Sequence, residues 1–317
     1  MLNKVRAAEK DAVKIRPFWQ KKFAKYSHDD QAVPAELPFK ASHVVGPLLS
    51  EGPMMVDSLP LADVRDICTT NDGAVWFGGP NGLIRYAPSE YRLDQVQYFS
   101  AGRYLRDNNV LALLPDGENG VWVRTSEGVS HIWYEKMSMD EKSDHYSKIV
   151  KERHRRHNFI ADCIFEVPED PTSKSHTYSA DNDGLWTAMY AASACYEYAV
   201  TGSKDALERA VHATEGVLSL VDIVPIKGYL ARSYVTRDER LPSDGFWLPT
   251  EDGKMLWKSD TSSDELVGHF LIYLLAHEFL PDENLRARIR TAAANIMDYI
   301  ISNGYYLHDV TGKPTLW

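Results

Sequence analysis

The sequence predicts an α+β protein in which two blade-like β-hairpin units precede a set of α/α-toroid-like helical hairpins. The first observation behind this prediction is a Trp–Gly hairpin pattern that occurs twice before residue 135. The second is a pair of strongly apolar helical segments, each followed by an amphipathic one. We therefore divide the chain into a charged helix and Pro-rich arm at 1–58, hairpin repeats at 59–135, and a helical domain at 136–317.

Composition limits the classes of partner. The 317 residues carry a formal charge of −10, which disfavours general binding to nucleic acids or anionic membranes. The first residues contain no apolar signal-peptide core, and no stretch reaches the length of a membrane span. Three widely spaced cysteines favour free thiols in a reducing compartment. The sequence thus predicts a cytoplasmic protein with neither membrane nor nucleic-acid partners.

The first 58 residues combine two kinds of segment. The start is dense in charge and compatible with a helix that contains Phe18 and Trp19. The following stretch, VPAELPFKASHVVGPLLSEGP, is interrupted by prolines, which disfavour a long helix. We expect an extended arm that crosses another surface of the protein.

The two hairpin repeats contain the same features in the same order: an apolar strand, an Asp/Asn/Gly turn, Val-Trp, a glycine and a second strand. Trp76 precedes Gly82 by six residues, and Trp122 precedes Gly128 by six. Turn residues between β-branched and aromatic runs are typical of β-hairpins, and the 46-residue separation of the two tryptophans is blade-like. Two blades cannot close a propeller, so the units must pack on something else, such as the helical half.

The helical half begins with SMDEKSDHYSKIVKERHRRHNFI, which we interpret as one helix. On that helix Arg153, His154 and His157 would share one face. The basic run could bind an acidic glycan or phosphate, or it could be a solvated face that balances the acidic chain. Its HxxH spacing is no zinc site without further ligands.

Two apolar segments follow, each with an amphipathic partner. GLWTAMYAASACYEYAV precedes a helix that starts after Ser203 as its cap, and SSDELVGHFLIYLLAHEFL precedes a helix that ends at Asn303-Gly304. A helix that is apolar on every side must be covered on every side, so we place the apolar helices inside and the amphipathic ones outside. About three hairpins are available, which predicts a partial toroid that an oligomer, another partner or the β-units could complete.

The hairpin units resemble the two-component-regulator propeller repeat of bacterial sensor ectodomains. Three helical-half pieces, DNDGLWTAMYAASACYEYAVTG, WKSDTSSDELVGHF and NGYYLHDVTGKPTLW, resemble segments of bacterial proteins that join such repeats to α/α-toroid domains. Many α/α toroids are glycan-active, as lyases, hydrolases or epimerases. The resemblance implies this architecture and a carbohydrate-related role.

Acidic residues gather at the predicted N-terminal ends of the two apolar helices. Asp181 and Asp183 precede the first, and Asp260, Asp264 and Glu265 precede or begin the second. Acids at helix N-termini are ordinary caps, which is one interpretation. If the inner helices are parallel, however, the two ends meet at one rim, where crowded carboxylates could serve glycoside hydrolysis. His269 lies one helical turn after Glu265 and is the candidate base, or else a core histidine.

The long segment 228–260 interleaves aromatic and charged residues. Aromatic faces stack on sugar rings, while charged groups bond hydroxyls or carboxylates. The alternative is a well-packed loop that plugs the end of the toroid. The predicted substrate-binding residues are His176, Tyr178, Tyr229, Arg232, Trp247, Trp257 and Asp260.

Two functions therefore follow from the sequence. One is a carbohydrate-interacting enzyme, a glycan hydrolase or lyase with Asp181, Asp183, Asp264, Glu265 and His269 at its centre. The other is a non-catalytic binding or scaffold protein built on a truncated toroid. The expected partner is an oligosaccharide or another polar small molecule. No metal or cofactor is predicted, because DNDG lacks the later ligands of a calcium loop.

Overall fold

The chain folds as an α+β protein, as predicted, with five helices and several small antiparallel sheets in its described part. The computed structural model describes residues 19–27, 61, 63–87, 95–167 and 173–315, with backbone only at 19–27 and 135–137. Within these residues it separates into two units. The strand unit comprises residues up to 144 and 165–174, and the helical unit comprises 145–164 and 175–315.

The strand unit contains two four-stranded antiparallel sheets. The first has the order β2-β3-β4-β5, with strands Asp66–Thr69, Val75–Gly79, Gly82–Tyr86 and Val96–Phe99. The second has the order β1-β8-β7-β6, with β6 at Val110–Pro115, β7 at Val121–Thr125, β8 at Gly128–Met137 and β1 at Trp19–Ser27. The two predicted hairpins are confirmed as β3–β4 and β7–β8, and each forms the centre of its sheet.

The repeat holds in the backbone but not in the packing of its tryptophans. Trp76 is fully buried in the core of the strand unit, where its ring lies 5.4 Å from that of Phe99. Trp122 faces the other side of its sheet and stacks on His131 with ring centroids 4.0 Å apart. Gly82 turns the first hairpin with φ +116°, where a Cβ would approach the Phe99 carbonyl oxygen to 2.8 Å.

The amino-terminal segment differs from its prediction where the structure describes it. Trp19–Ser27 forms β1 rather than a helix, and it pairs antiparallel with β8 from Trp19 opposite Met137 to Ser27 opposite Val129. The pairing satisfies backbone groups that β8 would otherwise present at an edge. The rest of the predicted helix and the Pro-rich arm lie outside the described residues.

The helical unit contains two hairpins of the predicted kind. The helices are α1 at Met139–Arg153, which begins in the strand unit, α2 at Asp183–Thr201, α3 at Lys204–Asp222, α4 at Ser263–Phe279 and α5 at Glu283–Ser302. The Ser203 hydroxyl caps α3 by accepting from the Ala206 N–H at 3.3 Å, as predicted. The described residues hold two hairpins, α2–α3 and α4–α5, rather than three.

The helix predicted over residues 138–160 is too long. It ends at Arg153, and Arg155–Arg156 and Phe159–Ile160 form the short antiparallel pair β9–β10, with His157 at φ +52° in the turn. The turn places Phe159 in a core with Trp257 and Tyr229. The prediction that Arg153, His154 and His157 share a helix face is therefore wrong.

Helices α2 and α4 lie side by side and run parallel. The backbone of Leu185 packs on Gly268, Gly184 meets Glu265, and Tyr196 contacts Phe279 with ring centroids 5.7 Å apart. Their N-terminal ends therefore meet, as the sequence predicted. Small residues of α2, chiefly alanines, allow this close packing. The expectation that both helices are covered on every side is wrong, because each exposes large apolar side chains.

Short strands position the loops of the helical unit. β13 at Tyr234–Thr236, β14 at Trp247–Pro249 and β15 at Met255–Lys258 form a sheet of order β13-β15-β14. Strands β11, Cys163–Phe165, and β12, Ser175–Thr177, form another pair. All three cysteines are free, as predicted. Within the described part of the chain, no helix combines the length and apolar character needed to cross a membrane.

Candidate functional site

The candidate site lies where the first turns of α2 and α4 touch. A Cβ on Gly184 would stand 2.2 Å from Oε2 of Glu265, so glycine is what lets the second carboxylate reach the first helix. Asp183 is the residue before that glycine. The sequence thus brings one acid from each helix to a common place.

Asp183 is fully buried and well bonded. Its Oδ2 accepts hydrogen bonds from Arg156 Nη1 at 3.2 Å and from the Ser233 hydroxyl, and its Oδ1 accepts from the Ala180 N–H at 3.2 Å. Burial raises the pKa of Asp183 to about 6 against the opposing effects of Ser233 and Arg156. The carboxylate is thus an anchor for the start of α2.

Arg156 extends this network to the loop after β13. It is buried, and besides Asp183 it donates to Glu239 Oε1 at 2.8 Å and to the Tyr234 carbonyl oxygen. Burial opposes ionisation of Glu239, but the Thr236 N–H, His157 and Arg156 together lower its pKa to about 2. The basic run thus contributes one buried structural arginine, which sequence patterning alone did not separate from its neighbours.

Glu265 is equally buried, but neither of its oxygens receives a hydrogen bond from the described residues. Burial raises its pKa well above the usual value, Asp183 adds to this effect, and the positive charge of Arg232 opposes it. The Leu185 N–H also favours the ionised form, although it lies outside hydrogen-bonding geometry. Burial without a hydrogen-bond partner therefore favours the protonated form of Glu265.

His269 and Tyr273 continue the line of Glu265 along α4 at spacings of four residues. His269 is fully buried, its two ring nitrogens have no partner among described groups, and burial lowers its pKa to about 3. The Tyr273 hydroxyl is also unpartnered there, and burial raises its pKa. The two rings lie 5.6 Å apart. His269 is thus a neutral histidine of the core, and its buried ring cannot contact a ligand from solvent.

Arg232 and Lys258 fasten the segments that lead into the two helices. Arg232 donates to the Asp181 carbonyl at 2.8 Å, to Asn182 Oδ1 at 2.7 Å and to the Asp260 carbonyl at 3.3 Å. Buried Lys258 bonds Asp181 Oδ1, and Asp244 Oδ2 at 2.9 Å. Burial disfavours its charge, but these two carboxylates raise its pKa overall. Both cations hold protein groups rather than face an open pocket.

Two aromatic residues predicted at the rim are instead in the core. Tyr229 and Trp257 are buried, with ring centroids 6.2 Å apart in an edge-to-face arrangement. The Tyr229 hydroxyl donates to the Ser259 carbonyl oxygen. These two residues stabilise the loop from inside. They therefore agree with the interpretation of segment 228–260 as a well-packed loop and not as a substrate-binding rim.

The other predicted residues lie nearer to solvent. Trp247 is half-buried and donates to the Asp244 carbonyl at 2.8 Å, and the Tyr178 hydroxyl lies 3.4 Å from Asp162 Oδ2. His176, Asp181 and Asp264 are exposed. The structure therefore brings together Asp181, Asp183, Arg232, Asp260 and Glu265. It leaves the others in the core or on the surface.

An open cavity of about 230 Å³ lies against the loop that leads into α4. Phe246, which is 56% exposed, and Asp260 form part of its wall. Its other lining residues are Ser259, Thr261, Asp309, Val310, Thr311 and Thr315. The Thr261 hydroxyl oxygen is buried and lacks a partner among the described groups.

Sequence reasoning missed the contribution of residues 309–315 to this cavity. Asp309 accepts hydrogen bonds from the Thr311 N–H at 2.8 Å and the Lys313 N–H at 3.1 Å, and the Thr311 hydroxyl and these N–H groups lower its pKa. The Asp-x-Thr-Gly sequence is a turn signature that could have placed an ionised carboxylate there.

The described residues include no cluster of three or more His, Cys, Asp or Glu side chains that could hold a metal ion. No protein-family model matches the chain, and comparisons with curated proteins and with solved structures give no match either. The resemblance to propeller repeats and α/α-toroid proteins therefore stays a prediction.

Proposed function

We propose that this chain is a non-catalytic carbohydrate-binding protein that holds one sugar ring in the cavity beside α4. The observation that carries the proposal is the contrast between sealed acids and an open cavity next to them. Asp183 and Glu265 have no exposed surface, whereas Asp260 and Phe246 border open space. The groups that can bind a ligand are therefore accessible at the cavity, whereas the two carboxyls that could act as acid and base are enclosed.

The cavity wall combines the groups that recognise a sugar. The Phe246 ring offers an apolar face for stacking on ring C–H groups. The Asp260 and Asp309 carboxylates can accept hydrogen bonds from hydroxyls, and the Thr311 hydroxyl oxygen, which donates to Asp309, can also accept one. A volume of about 230 Å³ is below the roughly 300–1,000 Å³ of sites for drug-sized ligands, so a single ring is the expected occupant.

Glycosidic hydrolysis is a second candidate, and one observation favours it. Glu265 and Asp183 lie at adjoining helix ends, and both have raised pKa values, as a general acid requires. A hydrolase or lyase needs its two groups on either side of the scissile bond, with room for substrate. The present geometry would have to open at Gly184 to provide that room.

The architecture supports a related proposal about fold. Parallel inner helices with amphipathic outer partners are what an α/α toroid repeats, and four-stranded antiparallel sheets are what a propeller repeats. We propose that the helical unit is a partial toroid and the strand unit a pair of blades. Cytoplasmic location and the absence of nucleic-acid partners remain predictions from charge and free cysteines.

Binding of sugars tests the main proposal directly. Titration calorimetry of the full chain against a panel of neutral monosaccharides and uronic acids should reveal at least one ligand. Phe246→Ala and Asp260→Asn should each weaken that ligand at least tenfold, because they remove the stacking face and an acceptor. Tyr305→Ala is the matched control, since Tyr305 is 78% exposed and lies outside the cavity wall.

The outcomes separate the two candidate functions. Equal weakening by Tyr305→Ala, or no binding by any member of the panel, contradicts binding in this cavity. Release of reducing or unsaturated sugar from oligosaccharides, abolished by Glu265→Gln in a folded variant, would select the enzyme instead. The non-catalytic proposal expects no such release.

A further inference from the structure

The two hairpins of the strand unit place equivalent residues opposite their tryptophans. Each residue of the second hairpin lies 46 positions after its equivalent in the first, as Trp122 does after Trp76. Trp76 on β3 pairs with Arg85 on β4, and Trp122 on β7 pairs with His131 on β8. The backbone register is therefore the same in both hairpins, and the surroundings of the two tryptophans can be compared residue by residue.

The first hairpin holds a cation between aromatic rings and a carboxylate. The guanidinium carbon of Arg85 lies 5.9 Å from the centroid of the Trp76 ring and 4.7 Å from that of Tyr134. Its Nη2 donates at 2.6 Å to Oδ2 of Asp72, the acid four residues before Trp76. An aromatic face and a carboxylate are both favourable partners of a guanidinium group. The chain thus supplies its own cation to the tryptophan and acid of this hairpin.

In the second hairpin a histidine takes the place of the arginine, and a different acid bonds it. His131 stacks on Trp122, and its Nε2 lies 3.0 Å from Oδ2 of Asp116. Gly120 makes this contact possible, because a Cβ at that position would lie 2.2 Å from the same carboxylate oxygen. Asp116 corresponds to Thr70 of the first hairpin and not to its acid. The imidazole therefore has its own carboxylate partner.

The acid that corresponds to Asp72 is Glu118, and its carboxylate is left over. It is exposed and makes no hydrogen bond or ion pair with any group in the described part of the chain. Together with Asp116, Trp122 and Trp133 it lines an open cavity of about 380 Å³. Among the described residues of the cavity wall, none is a lysine or an arginine. The second hairpin thus keeps the acid and the tryptophan of the first beside open space instead of a guanidinium.

We propose that this cavity binds a guanidinium cation, supplied by a small molecule or by an arginine side chain of a partner chain. A guanidinium group is planar, so it can stack on an indole while it donates to a carboxylate. Trp122 and Glu118 offer these two groups. The volume of about 380 Å³ lies within the roughly 300–1,000 Å³ of small-molecule sites, so the carrier of the cation also fits. The site belongs to the strand unit, whereas the proposed sugar cavity belongs to the helical unit.

Titration with a cation and its neutral isostere tests the proposal. Butylguanidinium and butylurea have nearly the same shape, and only the first is charged. Calorimetry of the full chain at constant ionic strength should show saturable binding of butylguanidinium and at least about tenfold weaker binding of butylurea. Glu118→Gln should weaken butylguanidinium at least about fivefold, because it removes the unpaired carboxylate. Glu127→Gln is the matched control and should bind as wild type, since Glu127 is exposed on the same hairpin but outside the cavity wall.

His131→Arg tests the comparison between the hairpins. The variant gives the second hairpin the arginine of the first, so its guanidinium should occupy the site and abolish binding of butylguanidinium. His131→Gln is its control, because it removes the imidazole without adding a charge and should still bind butylguanidinium. Circular dichroism of both variants should match that of wild type.

A short peptide with one arginine, acetyl-Gly-Arg-Gly-amide, distinguishes the two sources of the cation. Tighter binding of the peptide than of butylguanidinium assigns the site to an arginine of a partner chain, and equal or weaker binding assigns it to a small molecule. The proposal is overturned by absence of saturable butylguanidinium binding up to about 20 mM, or by equal binding of butylurea. Equal weakening by Glu118→Gln and Glu127→Gln, or undiminished binding by a folded His131→Arg variant, also overturns it.

Discussion

The first turns of α2 and α4 each bury one carboxyl group, and the two groups are bonded in opposite ways. Asp183 accepts from Arg156, Ser233 and the Ala180 N–H. Glu265 accepts no hydrogen bond from any group in the described ranges, and His269 above it is equally unpartnered. Both carboxyls have no exposed surface, and burial raises the pKa of both.

For these two carboxyls burial sets the direction of the pKa shift, whereas their hydrogen-bond partners set the cost of losing the group. Removal of Asp183 would take one of two carboxylate partners from buried Arg156, which would keep Glu239. Removal of Glu265 would strand nothing among the described residues. The two acids that the sequence treats as equivalent should therefore respond to mutation with opposite signs.

The largest effect is expected for Asp183→Ala. At pH 7.5 most of Asp183 is ionised, because its pKa is about 6, so the variant breaks a buried ion pair. We expect the free energy of unfolding to fall by about 2–4 kcal/mol, because the buried donors to this carboxylate lose it while Arg156 keeps Glu239. Urea denaturation monitored by circular dichroism would measure this change.

The control for that variant is Asp264→Ala in the first turn of α4. Asp264 is exposed, so its removal loses an interaction with the helix dipole of about 0.3–1 kcal/mol and also relieves its repulsion of Glu265. Equal losses in the two variants would mean that the Arg156 contact contributes nothing. The comparison between an anchored and an unanchored carboxyl would then fail.

The second effect concerns Glu265→Gln and depends on pH. Because the folded pKa of Glu265 is raised, its contribution to stability is fully present below the unfolded pKa of about 4.3 and is lost as pH rises towards the folded value. The glutamine variant has no such titration. We therefore expect it to match wild type near pH 4 and to exceed it at pH 8 by on the order of 1–3 kcal/mol.

Unfolding free energies of both proteins at pH 4, 6 and 8 would test this. Glu278→Gln on the exposed side of α4 is the control for replacing a glutamate of the same helix by glutamine. A Glu265→Gln variant that loses stability as pH rises, relative to wild type, would show that the carboxylate has a partner.

Much of the helical scaffold could be predicted because its signals are local. Apolar periodicity located α2 to α5, and the Ser203 cap and the Asn303-Gly304 stop follow from single residues. Parallel packing of the apolar pair was predicted from the expected toroid, in which the inner helices run parallel. The end of α1 at Arg153 could not be predicted in this way, since a charged run fits a helix and a turn equally well, and distant Phe159 packing decides between them.

The details of the site depend on long-range contacts that periodicity does not encode. Arg156 is one of several basic residues in a row, and only its contacts with Asp183 and Glu239 separate it from its neighbours. The aromatic residues in segment 228–260 could lie at a rim or in a core. Packing against Tyr229 places Trp257 in the core. The spacing of Glu265, His269 and Tyr273 did carry a local signal, because three residues four apart share one helix face.

The smallest effect, and the sharpest test of contact between the two carboxyl-bearing turns, is expected for Gly184→Ala. The new methyl group would lie 2.2 Å from Glu265 Oε2 and 2.7 Å from Leu220 Cδ1, so the carboxyl must move within a packed core. Overpacking costs about 1–3 kcal/mol. Replacing helical glycine by alanine returns up to about 1 kcal/mol, so a net loss of about 1 kcal/mol is expected.

A double-mutant cycle separates the effect of the Gly184–Glu265 contact from the effect of helix propensity. In a Glu265→Ala background the carboxyl is gone, and Leu220 alone can shift its flexible end, so Gly184→Ala should become neutral or stabilising. The expected coupling free energy is about 1–2 kcal/mol. Gly304→Ala gives the contrast, because nothing surrounds its Cβ position and its φ of +71° alone should cost stability, equally in both backgrounds. Additivity of Gly184→Ala and Glu265→Ala would mean that the first turns of α2 and α4 do not touch.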